Sequence, residues 1–206
     1  MADRPLVHIV DDEEAIRKSA SFMLKTSGFD VETWVSGTAF LKEAGHARQG
    51  CVLLDVRMPE MDGLEVQQAM SEGGIAMPVV ILTGHGDIGI AVRAMKAGAV
   101  DFIEKPFEKA VLLAAIEAAF ARLSSKQTHS DRAESAKTRI AGLTGRERDV
   151  LEGLAKGLPN KTIAYDLGIS PRTVEIHRAN LMTKLDVRSL SDALRVAFAA
   201  GLGDIA

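Results

Sequence analysis

Apolar residues gather in short runs along the first part of the chain: Leu6 to Val10, Val31 to Val35, Cys51 to Leu54, Val79 to Leu82 and Val100 to Ile103. Each run has the length and side-chain type of a strand, and stretches with helical spacing fill the gaps. Such βα alternation predicts a parallel sheet with helices on both faces. The first, third and fourth runs are almost continuously apolar, as strands buried on both faces are. Val31-Glu32-Thr33-Trp34 and Val100-Asp101-Phe102-Ile103-Glu104 interleave polar residues and so belong at the edges. The predicted fold of residues 1–123 is α/β, a doubly wound five-stranded sheet of order 2-1-3-4-5. Ligands of such sheets collect at the C-terminal ends of the strands.

The pattern changes after Leu123. Ser124 to Arg132 contains no apolar residue, and residues 124–140 read as a linker. Beyond it, Gly157-Leu158-Pro159-Asn160 and Leu167-Gly168-Ile169-Ser170 separate three helical patterns, and a fourth follows Ser189. Residues 141–206 thus form a small all-α domain. Thr144 and Glu147 have capping-box spacing, Asn160 is placed to cap the next helix, and Ser170 caps the third with Pro171 at its first position. Two short-linked helices with such a turn predict a helix-turn-helix. On the third helix Val174, Leu181 and Leu185 share one face, while Arg172, Glu175, Ile176, Ala179 and Thr183 fall elsewhere.

Composition adds little until it is divided along the chain. The net charge is −3, but residues 1–123 hold 12 Lys+Arg against 18 Asp+Glu and the remainder 13 against 10. The halves are −6 and +3, which hints at an acidic site in front and an anionic partner behind. The one cysteine, Cys51, opens an apolar run and reads as a buried hydrophobe. No segment has the apolar length of a membrane span, and residues 1–5 lack the look of a secretory signal. A cytoplasmic protein with no membrane partner is expected.

Three strands end in polar residues that break the core pattern: Asp11 and Asp12 after the first, Asp55 after the third, Lys105 after the fifth. In a parallel sheet these ends share one rim. Clustered carboxylates repel unless a cation neutralises them, and an all-oxygen set suits Mg²⁺. Glu13 and Glu14 are explained as favourable charge at a helix N-terminus. The other four are not so explained, and charges gathered in a crevice mark a site.

Residues 5–123 resemble a receiver domain of the CheY-like superfamily, on Asp11-Asp12, Asp55-Val56-Arg57-Met58-Pro59, Thr83 and Lys105-Pro106. The resemblance implies that Asp55 accepts a phosphoryl group from the phosphohistidine of a sensor kinase. It implies Mg²⁺ held by Asp12 and Asp55, by Asp11 largely through water, and by the backbone carbonyl of Arg57. Lys105 would offset phosphoryl charge, Thr83 would hydrogen-bond the phosphoryl oxygen, and Phe102 would be either an aromatic switch or simple core packing. In the loop Thr83-Gly84-His85-Gly86-Asp87, Gly84 is expected to open access to the site, and His85 reads as a loop residue rather than an acid or base.

Residues 140–202 resemble the LuxR-type DNA-binding domain, on Leu143-Thr144-Gly145-Arg146-Glu147, the run Gly157 to Ala164 and the run Ile169 to Arg178. The resemblance implies that the helix from Pro171 to Leu185 enters the major groove. Lys161, Arg172, Thr173 and Arg178 would then contact phosphates, and Glu175, Ile176 and Ala179 would face base edges. The last helix, with Leu190, Leu194, Ala197 and Phe198, is either a dimer element or core. Over its whole length the chain resembles response regulators of nitrogen-fixation genes. That implies an oxygen-sensing haem kinase as phosphodonor, promoter DNA and RNA polymerase as partners, and a homodimer when phosphorylated.

Two other readings stay open. An aspartate-nucleophile phosphohydrolase needs a second acid two residues beyond the nucleophile, where this chain has Arg57. A DNA-binding protein whose receiver dimerises without phosphate would not need the intact acidic set.

Overall fold

A computed structural model describes residues 4–84, 88–124 and 129–203. The backbone packs into two compact units, one built on a sheet and one wholly helical. The first carries β1 (Leu6–Val10), α1 (Glu14–Lys25), β2 (Asp30–Trp34), α2 (Gly37–Ala44), β3 (Gly50–Asp55), α3 (Gly63–Glu72), β4 (Val79–Thr83), β5 (Asp101–Glu104) and α5 (Lys109–Ser124); α4 (Ile88–Lys96), between β4 and β5 in the chain, groups with the helical unit.

The sheet is parallel throughout, in the order β2-β1-β3-β4-β5. Every residue of β1, β3 and β4 is buried, while β2 and β5 are only partly covered. The edges are therefore the two strands whose sequence interleaves polar residues. One sheet face, with Val7, Ile9, Leu53, Val80, Leu82 and Ile103, packs on Leu24 of α1 and on Leu112 and Ile116 of α5. Helices α2 and α3 pack on each other, burying Phe40, Val66 and Met70. His8 is the one polar side chain inside β1, and its Nε2 donates to the Arg48 carbonyl at 3.0 Å. That bond removes the cost of a buried unsatisfied donor.

The helical unit contains α6 (His129–Ala141), α7 (Gly145–Ala155), α8 (Asn160–Leu167), α9 (Pro171–Lys184) and α10 (Leu190–Ala199). Helix α6 falls largely within residues 124–140, the stretch that reads as a linker. Beyond the polar tract, Ala133, Ala136 and Ile140 fall three and four apart, and Ala136 and Ile140 are buried. The apolar stripe begins where the polar tract ends, so a window centred on the tract misses it. Helix α7 starts with the expected capping box between Thr144 and Glu147, and Ser170 caps α9 with Pro171 at its first position. At α8 the cap position belongs to Pro159, which has no side-chain donor or acceptor, and Asn160 is already helical. Gly168 closes α8 in the left-handed conformation at φ 65°, which most side chains resist.

Candidate functional site

The ends of β1, β3 and β5 bring four charged residues together. Ligand oxygens of Asp11, Asp12 and Asp55 lie within 4.8 Å of one another. Asp11 and Asp55 are buried and Asp12 is exposed. Lys105 Nζ sits 2.8 Å from Asp11 Oδ2 and 2.8 Å from Asp55 Oδ1. Burial, against the pull of Lys105 and with the push of Asp11 and Asp12, raises the Asp55 carboxyl to about 6. Burial alone would lower the Lys105 ammonium, but its bonds to Asp11 and Asp55 prevail and raise it.

Two neighbours had no signal as site residues in the sequence. Glu13, read only as helix-terminal charge, places Oε1 3.5 Å from Lys105 Nζ, and its backbone N–H donates to Asp11 Oδ1 at 2.8 Å. Arg17, one turn into α1, donates from Nη1 to the Asp11 carbonyl at 2.7 Å. The backbone thus fixes the Asp11 carboxylate from within its own loop. One lysine against three carboxylates leaves the cluster negative, and its all-oxygen donors fit a hard divalent cation such as Mg²⁺. Receiver domains generally bind Mg²⁺ at such an acidic pocket.

Thr83 ends β4, buried, with its hydroxyl donating to the Gly84 carbonyl at 3.3 Å. The register Ile81↔Phe102 and Thr83↔Glu104 puts Thr83 and Phe102 on the same sheet face, since paired residues of a parallel ladder project to the same side. Phe102 is half-buried. A Cβ at Gly84 would meet the Arg57 guanidinium, the far end of an exposed side chain. His85, Gly86 and Asp87 lie outside the described residues.

In the helical unit, Val174, Leu181 and Leu185 are fully buried, as the spacing requires. Arg172, Glu175, Ile176, Ala179 and Thr183 are exposed, as is Lys161 on α8, while Thr173 is half-buried. The inner side of α9 is tied down at two points. Arg178 Nη1 donates to Asn160 Oδ1 at 3.0 Å, so the asparagine expected to cap α8 serves α9 instead. Burial lowers the Arg178 guanidinium, partly offset by Glu175. Lys184 Nζ lies 2.8 Å from Glu147 Oε2. Glu147 also accepts the Thr144 backbone N–H at 2.8 Å, and these bonds hold its carboxyl down at about 2. On α10, Leu194 and Ala197 are fully buried, whereas Leu190 and Phe198 are partly exposed.

Among the described residues, no helix is long and apolar enough to cross a membrane. The sequence matches the response regulator receiver domain over residues 7–117 and the bacterial regulatory proteins of the luxR family over 141–197. It is 51% identical over 197 residues to the transcriptional regulatory protein FixJ of Rhizobium meliloti, covering 96% of this chain and 97% of that one. The response regulator TodT of Pseudomonas putida F1 is 41% identical, with 95% of this chain and 87% of that one covered. Among solved structures, full-length FixJ of B. japonicum is 44% identical with a TM-score of 0.59, covering 97% and 98% of the two chains. Response regulator StyR is 40% identical with a TM-score of 0.56, covering 95% and 98%. Regulators of this type are transcription factors rather than enzymes, which removes the phosphohydrolase reading. The receiver domain implies a histidine kinase partner and the second domain implies DNA binding. With both domains matched and near full-length relatives alike, the chain belongs to the FixJ-like two-component response regulators with a LuxR-type DNA-binding domain.

Proposed function

We propose that this chain is a cytoplasmic transcriptional activator switched by phosphorylation of Asp55, and that its kinase is a FixL-like sensor controlling nitrogen-fixation genes at low oxygen. The observation that carries the switch is Asp55 Oδ1 held 2.8 Å from Lys105 Nζ inside the Asp11, Asp12 and Asp55 cluster. The physiological role rests on likeness to proteins named FixJ, including one 51% identical over 197 residues.

Asp55 attacks the phosphorus of a phosphohistidine in line with the leaving nitrogen. The P–O bond forms as the P–N bond breaks, and the electron pair goes to the imidazole. Asp11, Asp12, Asp55 and the Arg57 carbonyl would hold Mg²⁺, which offsets charge on the phosphoryl oxygens. Lys105 exchanges a carboxylate partner for a phosphoryl oxygen, so it is already placed where charge develops. Thr83 turns its hydroxyl from the Gly84 carbonyl to the phosphoryl group, and Phe102, on the same face, fills the vacated space. Positioning and electrostatics supply the catalysis, as phosphoryl transfer requires.

Residues 1–123 serve as the receiver, and the DNA-binding part reaches back through α6. Phosphorylation favours receiver dimers, which pair two helix-turn-helices on a two-fold promoter site and recruit RNA polymerase. Lys161, Arg172, Thr173 and Arg178 contact phosphates. Glu175, Ile176 and Ala179 face base edges, where the glutamate accepts from cytosine N4 and the apolar pair meets thymine methyls.

The test is to incubate wild type and Asp55→Asn with Mg²⁺ and a small acyl phosphate, following intact mass, sedimentation and retention of promoter fragments. Wild type gains one phosphoryl group, sediments as a dimer and retains DNA; the variant does none of these. Equal dimerisation and DNA retention by both proteins would instead establish a receiver that works without phosphate.

A further inference from the structure

Helix α9 ends in a turn that its own backbone satisfies only in part. Asp186, left-handed at φ 49°, donates its N–H to the Thr183 carbonyl at 3.1 Å, and Val187 donates to Met182 at 3.1 Å. This is a Schellman closure made without glycine. It uses the carbonyls of Met182 and Thr183. Those of Leu185 and Asp186 lie beyond it, at the negative end of the helix dipole, where a cation is favourable.

Arg139 of α6 takes them. Its Nη2 donates to the Leu185 carbonyl and, at 3.4 Å, to that of Asp186. The arginine lies just outside the segment matched to the luxR family, which begins at residue 141. It is nonetheless presented by a seated helix: α6 packs against α10 and buries Ala136 and Ile140.

We infer that Arg139 is a positioning residue for DNA recognition, holding the C-terminal end of α9 from a helix outside the LuxR-type segment. The inference rests on reading α9 as the helix that meets DNA. Arg139 completes a set of three tethers on α9, with Asn160 of α8 accepting from Arg178 and Glu147 of α7 paired with Lys184. Each tether comes from a different helix, so together they resist both sliding and swinging. Glu175 and Ala179 lie six to ten residues before Leu185, roughly 9–15 Å along the axis. Arg139 therefore acts on base readout through helix placement, and base discrimination is the property most sensitive to that placement.

The test uses the full chain, phosphorylated with Mg²⁺ and a small acyl phosphate, with two variants. Arg139→Met keeps the aliphatic stem and removes the donors; Arg139→Lys keeps the charge without the fork. The probes are a duplex selected by the wild type from a random pool and a scrambled duplex of equal length and composition. Arg139→Met is expected to bind the selected duplex roughly tenfold more weakly, the scale of a lost base contact. Arg139→Lys falls between the two, and affinity for scrambled DNA and its salt dependence stay unchanged. A purely structural role would lower the unfolding midpoint but leave the ratio of selected to scrambled affinity intact, and that result in both variants overturns the inference. If Arg139→Met does not fold, the ratio in Arg139→Lys decides alone. Failure of the wild type to select any duplex overturns the DNA reading of α9, and the inference with it.

Discussion

At the scale of single residues, the two domains use buried charge in opposite ways. Glu147 is closed in by Lys184 and the Thr144 N–H, and its carboxyl is held at about 2 against an ordinary 4.5. A folded value below the unfolded one means a contribution to stability that is complete above the unfolded value and lost as pH falls toward 2. Acid unfolding of Glu147→Gln should therefore be flatter than wild type between about pH 5 and 2, as followed by circular dichroism. Asp11 and Asp55 instead share one lysine. Lys105→Ala leaves the carboxylates uncompensated, at a cost of about 3 kcal/mol in metal-free buffer. Added Mg²⁺ should recover much of this, and urea unfolding with and without the ion measures both. The four members of the carboxylate–lysine cluster were legible because each stands where a strand of the parallel sheet ends, on the rim where such ends meet. Glu13 and Arg17 were not, because their roles depend on how the β1–α1 loop turns back over Asp11.

At the scale of elements, the local capping signals held at Thr144 and Ser170 and failed at Asn160. Ser170 accepts the Thr173 N–H at 3.1 Å and starts α9, so Ser170→Ala should cost about 1 kcal/mol, read from denaturant midpoints of the full chain. The strand ranking was also legible, because burial on both faces leaves little room for polar residues in β1, β3 or β4 short of the terminal Asp55 and Thr83. His8 is the exception, and the Arg48 carbonyl that satisfies it comes from a distant loop. Asn160 is the instructive miss. An asparagine near a helix start reads as a cap, yet its oxygen is claimed by Arg178, 18 residues later. Helix α6 was obscured in a similar way: the polar tract 124–132 is genuine, but Ala136 and Ile140 find burial on a partner that a local window does not contain.

At the scale of the whole molecule, the charge difference between the two halves is modest, and binding should depend on a few placed cations rather than on net charge. Lys161→Ala and Arg172→Ala should each reduce the slope of log affinity against log salt by about 1 without altering the preferred sequence. Glu175→Ala should alter the preference and leave the slope nearly unchanged; fluorescence titrations over a salt series separate the two. The chain by itself determined the two-domain order, the sheet topology and the identity of Asp11, Asp12, Asp55 and Lys105. These follow from periodicity and from polar residues at strand ends, which are local. Tertiary structure decided the rest: that Lys105 bridges two carboxylates and that Arg139 closes the end of α9. Each of those contacts joins residues far apart in sequence, and the energy that selects them is the cost of leaving a buried or terminal polar group without a partner. That cost is set only once the fold has chosen the neighbours.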